Sequence, residues 1–326
     1  MSLMRQYKFE IGCLVALVLA FTMTQMGLNR FVFFAGFAVL QYAMIATAWN
    51  ILGGYAGYIN FGTAGFLGIG SYTAIALINY SDASIVEQII AGGVVAGLLG
   101  LGIGYFTLRL KGVYFAIATL ALAIVVETIV NNWDFVGGAA GVSILPARNP
   151  ELLGVLVVHK KLGVFSNYKE FLFFLMAALT IMSVWIARTI EKGKLGRGLN
   201  AIKDNEEAAE CMGVPTLKLK LITTTISGGL MGMAGAVFPS YLTFVDPPTA
   251  FNLEFAVNSL AMPMIGGTFT WLGPILGAVL LGTVQQVAIV TISSELNLLI
   301  LGLLLVIFVI AAPHGFLGWF MKKNKR

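Results

Sequence analysis

Long apolar runs alternate with short polar links along almost the whole chain. A helix needs about 20 apolar residues to cross a bilayer's hydrocarbon core. Ten stretches approach that length: 11–28, 31–51, 61–79, 85–108, 112–131, 171–190, 217–240, 252–267, 271–292 and 296–312. They far exceed the ~10-residue alternating strands of a membrane barrel. Hydrocarbon offers the backbone no hydrogen-bond partner, so such runs are expected as helices. The pattern predicts an all-α, polytopic transmembrane helical bundle of about ten helices (8–10), one domain over 1–326. The third run is rich in Gly and the eighth is short, so either segment, 52–60 with its Gly pair or 252–267, is compatible with re-entry instead of crossing. Two links stand out. Segment 132–170, with Gly137, Gly138 and Pro146, is long enough for short structure of its own, as an external lid or contact surface. Segment 191–216 is the other.

Composition agrees with the pattern. Hydrophobic residues make up 58% of the 326 and charged residues only 11%, against about 25% charged in soluble domains. The run 11–28 follows Arg5 and Lys8 without a small-residue cleavage pattern, so it reads as a retained span. With the N-terminus inside, ten crossings also return the C-terminus to the cytoplasm. Inner segments then hold 15 of the 20 Lys and Arg residues, as cytoplasmic loops should. The net charge of +5 sits at membrane edges and does not suggest nucleic acid; the partner it implies is the lipid bilayer. Cys13 and Cys211 suggest neither a disulfide nor a metal site, and His159 and His314 have no ligand-spaced partner.

Several constellations bear on transport. The stretch from Asn50 to Thr73 carries Gly53, Gly54, Gly57, Gly62 and Gly65 among Asn50, Asn60 and Thr63. Close helix packing explains it; so does a broken helix near the midplane whose freed backbone lines a substrate path. Its echo, Met264-Ile-Gly-Gly-Thr-Phe-Thr-Trp-Leu-Gly-Pro, places Gly266 and Gly267 before a Gly-punctuated run. Interrupted segments in corresponding positions suggest an inverted repeat of two halves. Gly93, Gly97, Gly100 and Gly104 form a small-residue stripe, as do Gly228 and Gly232, for packing within the chain or between subunits. Glu127 is the one acid well inside a run, where a charge costs about 2.5–3.5 kcal/mol on insertion scales. Near the run's end, it is either wetted or part of a path. The candidate path residues are Asn50, Gly54, Asn60, Thr63, Glu127, Asn258, Gly266 and Gly267. No catalytic set, carboxylate pair or metal cluster is evident, and no Gly-x-x-x-x-Gly-Lys-Ser/Thr loop occurs to hold ATP phosphates.

Segment 191–216 is the most informative. Leu199–Met212 favours a helix in its second half, with Glu206, Glu207, Ala208, Ala209 and Glu210. Leu199, Ile202 and Met212 offer an apolar edge. Gly213 is placed to end the helix and Pro215 to prevent its resumption. The stretch Gly196-Arg-Gly-Leu-Asn-Ala-Ile-Lys-Asp-Asn-Glu-Glu-Ala-Ala-Glu-Cys-Met-Gly-Val214 resembles the coupling loop of branched-chain amino-acid ABC importer permeases of the LivM type. The resemblance covers nearly the whole chain, including Gly54-Tyr-Ala-Gly57, Thr119-Leu-Ala121, the outer Gly-Gly loop and Trp271-Leu-Gly-Pro274. It implies a permease subunit, not an enzyme, moving branched-chain or related hydrophobic amino acids across the bacterial inner membrane. Separate ATPase subunits, which bind the ATP and Mg, would dock on Gly196, Arg197, Ala201, Asp204, Asn205, Glu206, Glu207, Ala208, Ala209 and Gly213. A second permease subunit, paralogous or identical, and an external substrate-binding protein complete the implied assembly. The chain departs from the family at Thr63, where many relatives have His, at Ile124, where the family's acid would fall three residues before Glu127, in the hydroxyl-free Val136–Gly141, and at Pro263. These departures leave open a urea or amide importer of the same family. A self-sufficient secondary transporter is the rival from another class.

Overall fold

The computed structural model describes residues 2–81, 83–144, 151–152, 155–156, 165, 167–291, 302–303, 306 and 315–316. Its helices are α1 (Ser2–Gln25), α2 (Arg30–Ala56), α3 (Thr63–Ser81), α4 (Ile85–Thr107), α5 (Val113–Asn131), α6 (Tyr168–Lys192), α7 (Lys194–Asp204), α8 (Glu206–Cys211), α9 (Thr216–Leu242), α10 (Pro247–Ala250), α11 (Leu253–Gly266) and α12 (Leu272–Thr291). Seven of them are long and apolar enough to cross a membrane: α1, α2, α4, α5, α6, α9 and α12. The chain is an all-helical, multi-pass membrane protein. The tenth run, 296–312, lies outside the described residues except for Gly302, Leu303 and Val306; His159 and His314 lie outside them too.

Contacts fix the helix directions. Tyr55 at the end of α2 bonds Glu191 at the end of α6, and Lys220 near the start of α9 bonds the Leu108 carbonyl just after α4. These residues share one end of the bundle, called here the α8 end. At the opposite end Tyr80 bonds the Phe135 carbonyl. There β1 (Val142–Ser143) pairs antiparallel with β4 (Phe244–Val245). Segment 132–170 thus carries short structure, including the small hairpin of β2 (Glu151–Leu152) and β3 (Val155–Leu156). α11 runs from the strand end to the α8 end in 14 residues, about 21 Å at 1.5 Å per residue. That falls short of a ~30 Å hydrocarbon core, but neighbours bury most of α11, as they do most of α3.

The glycine stripes meet each other inside the chain. α4 and α9 make the most extensive helix pair. A Cβ on Gly93 would lie 3.3 Å from the Gly229 carbonyl oxygen, and one on Gly100 would lie 3.0 Å from that of Thr224. Small residues let backbones approach this closely, and packing in hydrocarbon depends on it. Elsewhere, the glycine break in α2 is not near the middle of the bundle. α2 stays helical through Gly53 and Gly54, and the link 57–62 lies at the α8 end. The link between α11 and α12 lies there as well. α2 and α11 enter, and α3 and α12 leave, in the same sense. The echo between the two links therefore relates segments of like direction, in contrast to the inverted repeat that the sequence suggested.

Candidate functional site at the charged end of the bundle

Segment 191–216 folds as two helices, α7 and α8, of which α8 lies in the helix-favouring second half of 199–212. The break is at Asn205, whose backbone is extended at φ −163° and ψ 108°. Its side-chain oxygen accepts a 3.1 Å hydrogen bond from the Ala208 N–H, an N-cap that starts α8 afresh. Gly213 ends α8 in a left-handed conformation, φ +81°. The Gly213 and Val214 N–H groups then return to the carbonyls of Glu210 and Ala209 at 2.9 and 3.0 Å. α7 buries Gly196, Leu199 and Ile202. A Cβ on Gly196 would lie 2.6 Å from the Glu191 carbonyl oxygen, so glycine is what permits the turn from α6 into α7. Met212 does not join the apolar edge with Leu199 and Ile202. It is 84% exposed.

The residues of this segment divide by direction. Arg197, Asp204, Asn205, Glu207, Ala208, Cys211, Met212 and Gly213 are exposed, Ala201 and Glu206 are half-buried, and Gly196 and Ala209 are buried. The exposed set gives α8 a free tip. Glu207 pairs with Lys111 at 3.0 Å, but both side chains are mostly solvated.

The inward side is tied down by ionic contacts. Lys220 is 3% exposed and gives all three donors of its ammonium. One goes to Glu206 Oε1, one to Tyr58 Oη at 3.0 Å and one to the Leu108 carbonyl at 3.1 Å. Tyr58 in turn donates to Glu206 Oε2. Burial alone would raise the Glu206 pKa, but bonds from Lys220 and Tyr58 and the charges of Lys220 and Lys111 hold it below the usual carboxylate value. Burial, then the neighbouring Glu206, pushes the Tyr58 phenol above its ordinary value. Glu191 accepts from Tyr55 Oη at 3.3 Å and from the Trp271 N–H at 2.8 Å. The Thr216 hydroxyl donates to Glu210. Lys220, Tyr58 and Glu191 were not singled out by sequence. A signal existed for Lys220, which shares the buried face of α9 with Thr216, Thr223, Thr224 and Ser227.

The structure gathers only part of the candidate path. Asn50, Gly54, Asn60, Thr63, Gly266 and Gly267 lie at or near the α8 end. A Cβ on Gly54 would lie 2.8 Å from the Thr268 carbonyl oxygen, so the end of α2 abuts the link between α11 and α12. Thr63 bonds Ser259 at 3.0 Å, and Asn60 Oδ1 accepts from the Gly62 N–H at 2.7 Å. A void of about 10 Å³ lies among Asn60, Thr107, Thr119 and Thr224, room for about one water. Asn258 lies further along α11, its Oδ1 accepting from Gln285 at 2.8 Å. Glu127 stands apart, near the strand end of α5 and half-buried.

Comparison with known proteins decides the family. The model of a family described as branched-chain amino acid transport system / permease component matches residues 31–309. The chain belongs to that family. The high-affinity branched-chain amino acid transport system permease protein LivM of Salmonella typhimurium is 29% identical over 85% of this chain and 67% of its own length. LivM of Escherichia coli is 28% identical over the same shares. The L-arabinose ABC transporter permease protein AraH of Azospirillum brasilense is 27% identical over 71% of this chain and 64% of its own. No solved structure matches the chain. Membership makes it an ABC transporter permease component, a class that works in a membrane with ATPase subunits and a substrate-binding protein. Every residue of the Glu206–Lys220–Tyr58 cluster falls inside the matched segment.

Proposed function

We propose that this chain is the permease subunit of an ABC importer for branched-chain or related hydrophobic amino acids in a bacterial inner membrane, driven by separate ATPase subunits that dock on segment 191–216. The observation that carries the reading is the form of α7 and α8: an exposed tip of Glu207, Ala208, Cys211, Met212 and Gly213 on a base fixed by buried polar contacts. A freely solvated loop needs no such base. An exposed Met beside an acidic turn suits a protein partner, because Met and aromatic residues are enriched in interface cores.

Charge supports the orientation. The α8 end holds Lys8, Arg109, Lys111, Arg188, Lys192, Lys194, Arg197, Lys203, Lys218 and Lys220, while the strand end of the described residues holds Arg30 and Lys169. Positive charge marks the cytoplasmic side, which supports a cytoplasmic α8, the side on which ATPases work. The strand end then faces the binding protein, and a second permease, paralogous or identical, completes the path. ATP and Mg belong to the ATPase subunits. The amino-acid substrate is favoured over a sugar because the LivM relatives match 85% of the chain and AraH 71%.

Co-purification tests the reading. The tagged chain, taken from gently solubilised membranes, should bring an ATPase and a second permease with it, and in liposomes should take up leucine only with ATP. Leucine uptake without an ATPase would replace this reading with a secondary transporter.

A further inference from the structure

We infer that Lys220 is the joint that carries movement of α8 into the α2–α3 and α4–α5 links, acting as a positioning residue through Glu206, Tyr58 and the Leu108 carbonyl. The inference rests on the reading of α8 as the ATPase-docking element.

α8 has only six residues and is covalently continuous with α7 and, through 212–215, with α9. It has no chain connection to α2, α3, α4 or α5. Its buried apolar content is a single residue, Ala209, so packing alone gives it little purchase on the bundle. Two carboxylates reach across: Glu207 meets Lys111 where both are exposed, and Glu206 makes the contact that reaches a buried partner. Glu206, at the first position of α8, meets Lys220 through one oxygen and Tyr58 through the other. Tyr58 belongs to the link that joins α2 to α3. Leu108, whose carbonyl takes the third Lys220 donor, follows α4 and opens the link to α5. One buried ammonium therefore bonds three elements far apart in sequence while anchored in a fourth, α9.

The network is closed: every donor of Lys220, the Tyr58 hydroxyl and both Glu206 oxygens are engaged. Hydrophobic attraction is non-directional. A charge-assisted set of this kind is short-range and directional, so displacing Glu206 pulls on Tyr58 and Lys220 together. A buried ion pair is a weak device for stability, since apolar residues of similar volume often serve as well. Its place where four elements meet points to transmission. The neighbouring Glu207–Lys111 pair, exposed on both sides, has neither the burial nor the extra partners to do the same.

The test uses the complete transporter purified on the tagged chain and reconstituted in liposomes, with radiolabelled leucine and binding protein supplied. The variant Lys220→Met, outside the docking segment 191–216, keeps the buried position filled with an apolar side chain and leaves Glu206 its Tyr58 partner. It should assemble with the ATPases and hydrolyse ATP, yet take up at least about tenfold less leucine per ATP, about the effect of losing one hydrogen bond to a charged group. Wild-type uptake per ATP in this variant would overturn the joint and leave docking intact. Failure of the wild-type chain to hold an ATPase would overturn the docking reading and the joint with it. If the Lys220→Met variant does not accumulate, Tyr58→Phe decides. Loss of that one hydroxyl should lower uptake per ATP about threefold with ATPase binding unchanged, and no change overturns the joint.

Discussion

The Lys203 ammonium lies 2.7 Å from the Gly54 carbonyl oxygen and 4.7 Å from the centre of the Phe269 ring. One side chain of α7 thus touches the end of α2 and the link between α11 and α12. Gly54 is in the last turn of α2, where carbonyls lack partners within the helix and a cation is favoured by the helix dipole. Burial pulls the Lys203 pKa below its ordinary value, with Asp204 opposing; the contact keeps the charge there despite that. Lys203→Met should lower stability by about 1 kcal/mol and weaken uptake, and Lys203→Arg should recover part of both. Thermal unfolding in detergent, with uptake in liposomes, checks this. Equal melting of wild type and Lys203→Met would show that the contact contributes nothing.

Glu206 makes stability depend on acidity in a defined direction. Its folded-state pKa lies below the unfolded one, a net result of burial raising it and Lys220 and Tyr58 lowering it further. The stabilisation is therefore complete above the ordinary carboxylate value of about 4.3. It is lost as pH falls through the lower folded value. Melting temperature should fall more steeply below about pH 5 in the wild type than in Glu206→Gln, and the two curves should converge at the acid end. Parallel curves would mean that Glu206 is not held as described.

Gly213 separates backbone strain from contact. Its φ is +81°, and a Cβ placed there meets nothing within 4 Å. A β-branched residue would then add about 1–2 kcal/mol of local strain without a clash, whereas Asn tolerates the left-handed region. Gly213→Asn should transport nearly as the wild type does, and Gly213→Val should lose uptake while the bundle melts unchanged. If both variants behave alike, the αL turn is not what fixes the α8 tip.

The apolar runs made the bundle legible because hydrocarbon enforces helices over a known length. Nine of the ten expected runs coincide with described helices, their bounds within three residues except that α1 begins at Ser2 instead of 11 and α2 runs on to Ala56 instead of ending at 51. The end of α8 was legible too, since Gly213 and Pro215 act locally. What sequence could not deliver was pairing at a distance. Glu206 and Tyr58 are 148 residues apart, and Lys220 and Leu108 are 112 apart. No periodicity ties such positions together. The break at Asn205 was missed for a different reason. Asn serves in a helix or as its cap, and only the neighbouring packing, with Leu199 and Ile202 buried against the bundle, selects the cap. The glycine links misled on depth, because Gly marks a place where backbones approach without saying how far along the bundle it lies.

Three glycines mark where α3, α4 and α9 cross. A Cβ on Gly70 would lie 2.7 Å from the Gly232 carbonyl carbon, and one on Gly232 would lie 2.5 Å from the Gly92 carbonyl oxygen. Both obstacles are backbone, which cannot rotate away. Gly232→Ala should therefore destabilise the protein by about 1–3 kcal/mol, the usual effect of overpacking, although alanine is the better helix former. Gly102, on α4, is the control. A Cβ there meets nothing within 4 Å, so Gly102→Ala should gain up to about 1 kcal/mol from helix propensity. Thermal unfolding of the two variants in the same detergent should move in opposite directions. A stabilised Gly232→Ala would mean that the three helices do not cross at the separation found here.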